Sequence, residues 1–195
     1  MSKRLLLLPA LLLLCALALA ACGGGDDETS EVEDAIETAA TTTNPADCAK
    51  FQTQAFMEQT SQETGKAALQ QCEKEAKDEE NAKSAEVSNA DVEGSGATGE
   101  VTLERGNALE GQTLEVALVK DGGQWKVNEI VKFTKFDGDR LVETFEREIQ
   151  KAGEADSKFA NCFLETLKAA DQAEIEDLVF KSGGKSFETI AKECS

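Results

Sequence analysis

The stretch 113–133, TLEVALVKDGGQWKVNEIVKF, decides the fold. Its two halves alternate apolar with polar or small residues, which is the period of a β-strand that buries one face. The apolar positions of that face are Leu114, Val116 and Leu118 in the first half and Trp125 and Val127 in the second. Asp121–Gly123 separates the halves and is typical of a tight hairpin turn. The stretch therefore predicts an antiparallel hairpin with one apolar face that another layer must cover.

Two further strands are predicted before this hairpin. Residues 85–92 and 98–104 show the same alternation, with Val101 and Leu103 on one face of the second run. Glycine-containing turns at 94–96 and 106–111 separate the runs. Four strands joined by short turns predict an antiparallel meander.

The sequence before the strands has the 3.6-residue period of helices. The predicted helical segments are 32–40, which 41–45 ends, then 46–59, which is a second short helix or two turns, and 67–80. Asn44 ends the first segment because a residue that precedes proline avoids helical geometry, and Gly65 interrupts the chain before the third. We expect these helices to cover the apolar face of the sheet. The fold class predicted for 31–136 is thus α+β.

Residues 137–195 return to short amphipathic helices. Their apolar stripes are Leu141/Val142/Phe145/Ile149, Phe159/Cys162/Phe163/Leu167, Ile175/Leu178/Val179/Phe180 and Phe187/Ile190/Ala191/Cys194. We interpret 137–195 as a small helical C-terminal region that packs on itself or on the sheet domain.

The N-terminus resembles the signal sequence of a bacterial lipoprotein. Lys3 and Arg4 precede an apolar run that ends in Leu19–Cys22, a Leu-small-small-Cys box. The run of about 15 to 17 residues is shorter than the roughly 20 that a spanning helix needs. The resemblance implies a signal peptide at 1–21, two or three lipid chains on Cys22, and a protein held on the extracytoplasmic face of the cell membrane. An ordinary secretory signal or an uncleaved anchor is the alternative.

Composition restricts the chemistry of the chain. The formal net charge is −18, and it becomes −20 without residues 1–21, which carry two bases and no acid. Such a chain is repelled by phosphate, so we expect no nucleic-acid partner. Histidine and tyrosine are absent, which excludes Ser-His-Asp, Cys-His and histidine-based zinc sites. We therefore expect no catalytic residue, no metal and no cofactor. Residues 22–30 are rich in glycine and acid and predict a solvated tether.

Four cysteines remain once Cys15 leaves with the signal peptide and Cys22 carries lipid. An even number in an exported protein predicts two disulfides, for which three pairings are possible. We favour pairing between neighbours along the chain, Cys48–Cys72 and Cys162–Cys194. Reduced core cysteines and a four-thiolate metal site are the alternatives, although no CxxC spacing is present.

The order of helices and meander looks like the nuclear transport factor 2-like (NTF2-like) fold, and is especially similar to small lipoproteins of that type from high-GC Gram-positive bacteria. The residues that carry the resemblance are Asn44–Cys48, Cys72 and Leu118–Val127, and it covers roughly 30–135. It implies a cone with a cavity between helices and sheet, which many members use for small apolar ligands or substrates.

Two functions follow from this resemblance. The first is a non-enzymatic, lipid-anchored protein whose cone binds a small apolar ligand or an envelope protein. Trp125 and Val127 are then candidate lining residues, with core packing as the alternative for Trp125, and Val116 is left unassigned. The second is a structural or interaction module of the envelope whose cone is filled by its own side chains. An empty pocket of a few hundred cubic ångströms would favour the first.

Overall fold

The computed structural model describes residues 25–151, 153, 157–180, 190 and 194. Within them the chain forms seven helices and one four-stranded antiparallel sheet, so the α+β class is confirmed. The helices are α1 Gly25–Thr41, α2 Ala46–Phe51, α3 Gln54–Ser61, α4 Lys66–Lys77, α5 Gly138–Lys151, α6 Lys158–Ala169 and α7 Gln172–Val179; the strands are β1 Ser84–Glu93, β2 Gly96–Glu104, β3 Thr113–Asp121 and β4 Gln124–Lys135. None of these helices combines the length and hydropathy needed to cross a bilayer.

The sheet is an open meander in the order β1-β2-β3-β4. The predicted hairpin joins β3 to β4, with Asp121 opposite Gln124 and with Gly122 and Gly123 both at positive φ. Positive φ at both central turn residues is what a two-residue hairpin requires and what glycine supplies without strain. Register shifts interrupt the β1–β2 and β3–β4 ladders. Because such bulges bend and twist a strand, they curve the sheet around its apolar face.

Helix α1 lies across that apolar face. Its buried stripe consists of Val32, Ala35, Ile36 and Ala39. Small residues on β2 allow a close approach, since a Cβ atom added to Gly99 would lie 2.6 Å from Cδ1 of Ile36. The prediction that the helices preceding the strands cover the sheet is therefore right for α1.

The start of α1 corrects the predicted tether at 22–30. The helix begins at Gly25, so most of that segment is helical. Asp27 and Glu28 occupy its first turn, where negative charge interacts favourably with the helix dipole. Lys120 Nζ donates a 2.8 Å hydrogen bond to Glu28 Oε1, which joins this turn to β3. The predicted signal peptide at 1–21 and the lipid-bearing Cys22 lie outside the described residues.

The segment 46–59, predicted to be one short helix or two turns, forms two short helices, α2 and α3. Between them the chain is extended, and the Thr53 N–H donates to the carbonyl of Val127 on β4 (2.9 Å). The hydroxyl of Thr53 then accepts a hydrogen bond from the Phe56 N–H and caps α3. The side-chain cap and the backbone hydrogen bond to the sheet stabilise this break more than a continuous helix would be stabilised by its own hydrogen bonds.

A disulfide joins Cys48 of α2 to Cys72 of α4. It lies in a small hydrophobic cluster separate from the main core, whose buried members are Cys48, Met57, Ala68, Cys72 and Ala76. The other pair of neighbours, Cys162 and Cys194, forms a second disulfide. All four cysteines of the described part are thus oxidised, so none is a thiolate that could bind metal.

The C-terminal helices share one hydrophobic core with the sheet. Helix α7 lies along the edge strand β4, where Gln172 Nε2 donates to the carbonyl of Phe133 (3.0 Å) and Glu176 Oε1 accepts from its N–H (2.9 Å). The rings of Phe133 and Phe180 also contact each other. Of the two packings considered for this region, α7 packs on the sheet, while α5 and α6 also pack on each other. Most of the last predicted helix, 187–194, lies outside the described residues.

Candidate functional site

A cavity of about 790 Å³ lies between the apolar face of the sheet and the helices before it. Its walls come from β2, β3, β4, α1, α3, α4, the end of α5, the link between α2 and α3, and the loops that join α4 to β1 and β2 to β3. The floor is formed by buried aliphatic side chains, among them Ile36, Val101, Leu103, Val116, Val127 and Ile130. Side chains at the mouth, such as Glu79, Glu80 and Lys83, are exposed. The arrangement is an apolar pocket with a polar entrance.

Of the residues predicted to line the cavity, the structure places Val127 there but not Trp125. Val116, which was left unassigned, also lines it. Trp125 points to the same face as Val127 but lies next to the hairpin turn, where it is only 1% exposed and belongs to the core. The Nζ of Lys120 lies 5.2 Å from the centre of its ring. The hairpin end of the sheet is thus filled by the indole, and the cavity occupies the other end.

Four carboxylates and two ammonium groups surround the mouth, a net charge of −2. The members of this set are Glu75, Glu79, Glu80, Glu148, Lys83 and Lys151. Lys83 pairs with Glu79 at 3.2 Å, and Lys151 pairs with Glu148 at 2.7 Å. Neither Glu75 nor Glu80 has an ion-pair partner in the part of the chain that the structure describes. The uncompensated charge at the mouth is therefore negative.

Glu75 on α4 is half-buried. Burial raises the pKa of its carboxyl above the ordinary value, and the nearby charge of Glu80 adds to this. A hydrogen bond from Gln71 Nε2 to Glu75 Oε1 (2.7 Å) lowers the pKa in part. The second carboxylate oxygen accepts no hydrogen bond from the described residues. Glu75 is thus a partly desolvated acceptor with free capacity.

Gln52 supplies a second acceptor in the cavity wall. The side chain is 6% exposed, and its Nε2 donates to the carbonyl of Ala39 near the end of α1 (3.1 Å). Its Oε1 lies 3.3 Å from Sγ of Cys72. Because that sulfur belongs to the disulfide, it carries no hydrogen and cannot donate. The Gln52 oxygen is therefore buried beside the cavity without a hydrogen-bond donor.

Sequence reasoning missed both acceptors. Gln52 and Glu75 are polar residues in segments of helical period, where such residues most often face solvent. The spacing does carry one signal, because Glu75 follows the inward-facing Cys72 by three residues and so lies on the same side of α4.

No group of three or more histidine, cysteine, aspartate or glutamate side chains converges on a metal-sized site within 25–151 and the described parts of 153–194. Of the strand carboxylates, Glu86 and Glu104 are exposed, and Glu100 and Glu115 are half-buried.

Comparisons of the chain with protein-family models, with curated proteins and with solved structures give no match. The function is therefore inferred from the geometry of the cavity.

Proposed function

We propose that this protein is a lipid-anchored, extracytoplasmic lipoprotein whose NTF2-like cone binds a small apolar ligand without catalysing a reaction. The observation that carries the proposal is the cavity of about 790 Å³ with an aliphatic floor. Small-molecule sites typically measure about 300–1,000 Å³ and are mainly apolar with a few polar groups. Protein interiors otherwise contain few voids larger than a water molecule. The alternative, a structural module with a filled cone, fits this space poorly.

The arrangement of elements supports the NTF2-like interpretation. Helices precede a four-stranded antiparallel meander, the strands are bulged, and the space lies between the sheet and α1, α3 and α4. This arrangement fits the cone that the Asn44–Cys48 and Leu118–Val127 resemblance implies.

Two observations support a location outside the cytoplasm. Disulfides persist in oxidising compartments, and the described residues contain two. The Leu19–Cys22 box supplies the lipid attachment that the lipoprotein resemblance implies. Several acyl chains on one cysteine meet the two-signal requirement for stable anchoring.

Partly filling the cavity is expected to weaken binding of an apolar probe. The mature chain carrying Cys22→Ser, which needs no detergent, is titrated with diphenylhexatriene, a hydrocarbon that fluoresces in apolar surroundings. Val116→Phe places a ring in the cavity and should weaken binding about tenfold or more, equivalent to about 1.4 kcal/mol. Val119→Phe on the opposite face of β3 is the matched control and should leave the affinity unchanged. Equal affinity of both variants for the probe would contradict the proposal.

The anchor is tested separately in the intact precursor. Cys22→Ser should stop lipid attachment, so that the protein leaves the membrane fraction, as shown by fractionation and intact mass. Unchanged membrane association, with no acyl mass on the unsubstituted protein, would overturn the lipoprotein assignment but not the ligand site.

A further inference from the structure

We propose that the ligand of this cavity is an apolar amine, with a hydrocarbon body on the sheet and a protonated amino group held by Gln52 and Glu75. The inference rests on the proposed function, because it names the ligand class of the same cavity.

The Gln52 oxygen is the first reason to expect a ligand with a hydrogen-bond donor. The side chain is more than nine-tenths buried and lines the cavity, and its Oε1 has only the disulfide sulfur beside it. A buried acceptor left without a donor loses the hydrogen bonds that water would give it, which is unfavourable. An N–H group of a ligand would satisfy this oxygen and recover that loss on binding.

Glu75 is the second reason, because its carboxylate favours a ligand whose hydrogen-bond donor is positively charged. It follows Cys72 by three residues on α4, so its carboxylate lies about one helical turn from the sulfur that touches Gln52. One of its oxygens has no donor among the described residues, and no ion pair to its carboxylate is found there. The charge of Lys74 lowers the pKa of Glu75, but less than burial raises it. A ligand ammonium would offset the desolvation that raises the pKa of Glu75, because an adjacent positive charge favours the carboxylate form.

The rest of the lining disfavours an anionic head group. Both lysines at the mouth are already paired with glutamates. The hydroxyls of Thr60 and Ser61 donate to carbonyls of their own helix, at 3.0 and 2.6 Å. A carboxylate or phosphate would therefore meet Glu75 and Glu80 with few free donors to receive it, whereas an ammonium meets acceptors.

Three ligands with the same hydrocarbon chain test the inference. Dodecylammonium, dodecanol and dodecanoate are titrated calorimetrically into the mature Cys22→Ser chain at neutral pH, the two ions below their micellar concentrations and the alcohol below its solubility limit. We expect the ammonium to bind at least about tenfold more tightly than the carboxylate, with the alcohol between them, as charge-assisted hydrogen bonds predict.

The matched variants are Glu75→Gln and Glu73→Gln, which remove the same charge from the same helix, with only Glu75 lining the cavity. Glu75→Gln should reduce the preference for the ammonium about tenfold and leave the affinity for dodecanol unchanged. Glu73→Gln should retain the preference.

Each failure has its own meaning. If the three ligands bind equally, or the carboxylate binds best, the amine proposal is overturned while the apolar site stands. The same holds if Glu73→Gln weakens the preference as much as Glu75→Gln, because the overall negative charge would then be its source. If none of the three ligands nor diphenylhexatriene binds, the proposed function fails as well.

Discussion

Trp125→Ala is expected to lower the free energy of unfolding by about 3–5 kcal/mol, the range for removing a buried aromatic side chain. Trp125 is 1% exposed and is the largest fully buried side chain of the described residues. Alanine would leave a void at the hairpin end of the sheet, where the indole now packs in the core and beneath Lys120. Urea unfolding followed by far-ultraviolet circular dichroism measures the loss, since the variant has no tryptophan fluorescence.

Trp125→Phe separates the packing of the ring from its polar atom. The indole Nε1 has no hydrogen-bond partner in the described structure, so phenylalanine removes an unsatisfied donor together with some volume. We expect a loss smaller than about half of that for alanine. Neither variant touches the cavity lining, so diphenylhexatriene binding by Trp125→Phe should match the parent. A loss equal to that of alanine would contradict this prediction, because it would mean that a phenyl ring recovers none of the packing of the indole.

The sheet could be predicted because the residue pattern that determines its strands and turn lies within a short stretch of sequence. The alternation of Leu114, Val116 and Leu118 and the glycines that follow fix two strands, their faces and their turn within 21 residues. The same local rule placed Trp125 and Val127 on one face but could not say how far along β4 the cavity extends. That limit depends on how much space the indole fills, which is a property of packed layers.

The helical layer was predicted less well because distant contacts decide it. The acidic segment before Glu31 has the composition of a tether, and its helix is joined to the sheet by Lys120, 92 residues beyond Glu28. The break between α2 and α3 likewise depends on the carbonyl of Val127, far from Thr53 in sequence. The hydrophobic period of one helical segment gives no information about either of these distant partners, Lys120 and Val127.

The polar part of the candidate site was invisible for a related reason. A glutamine with one satisfied and one unsatisfied end is recognised only when its surroundings are known. The oxygen of Gln52 lacks a donor because Cys72 is oxidised. The sequence predicts the disulfide, but it does not predict that this disulfide leaves the Gln52 oxygen without a hydrogen bond.

Removing the Cys48–Cys72 disulfide by a double substitution to alanine should cost about 3–4 kcal/mol by the chain-entropy model, plus lost packing. The bond spans 24 residues, and the one between Cys162 and Cys194 spans 32. Because the entropic part depends on the logarithm of loop length, it is nearly equal for the two. Packing should decide between them: Cys48 is fully buried in a small cluster, whereas Cys162 is only partly buried. We therefore expect the larger loss from Cys48→Ala/Cys72→Ala, measured by urea unfolding of oxidised protein.

Ligand binding gives this comparison a second readout. The Cys48–Cys72 bond holds α4, which carries Glu75, against α2, and its sulfur lies against Gln52. Without it the two acceptors lose their fixed separation, so the preference for dodecylammonium should fall together with stability. Cys162→Ala/Cys194→Ala is the matched control, because its disulfide contributes nothing to the cavity wall. That control should lose stability and keep the preference. Loss of the preference in both variants would instead mean that the site depends on the stability of the whole fold, and the specific link between this disulfide and the acceptors would be wrong.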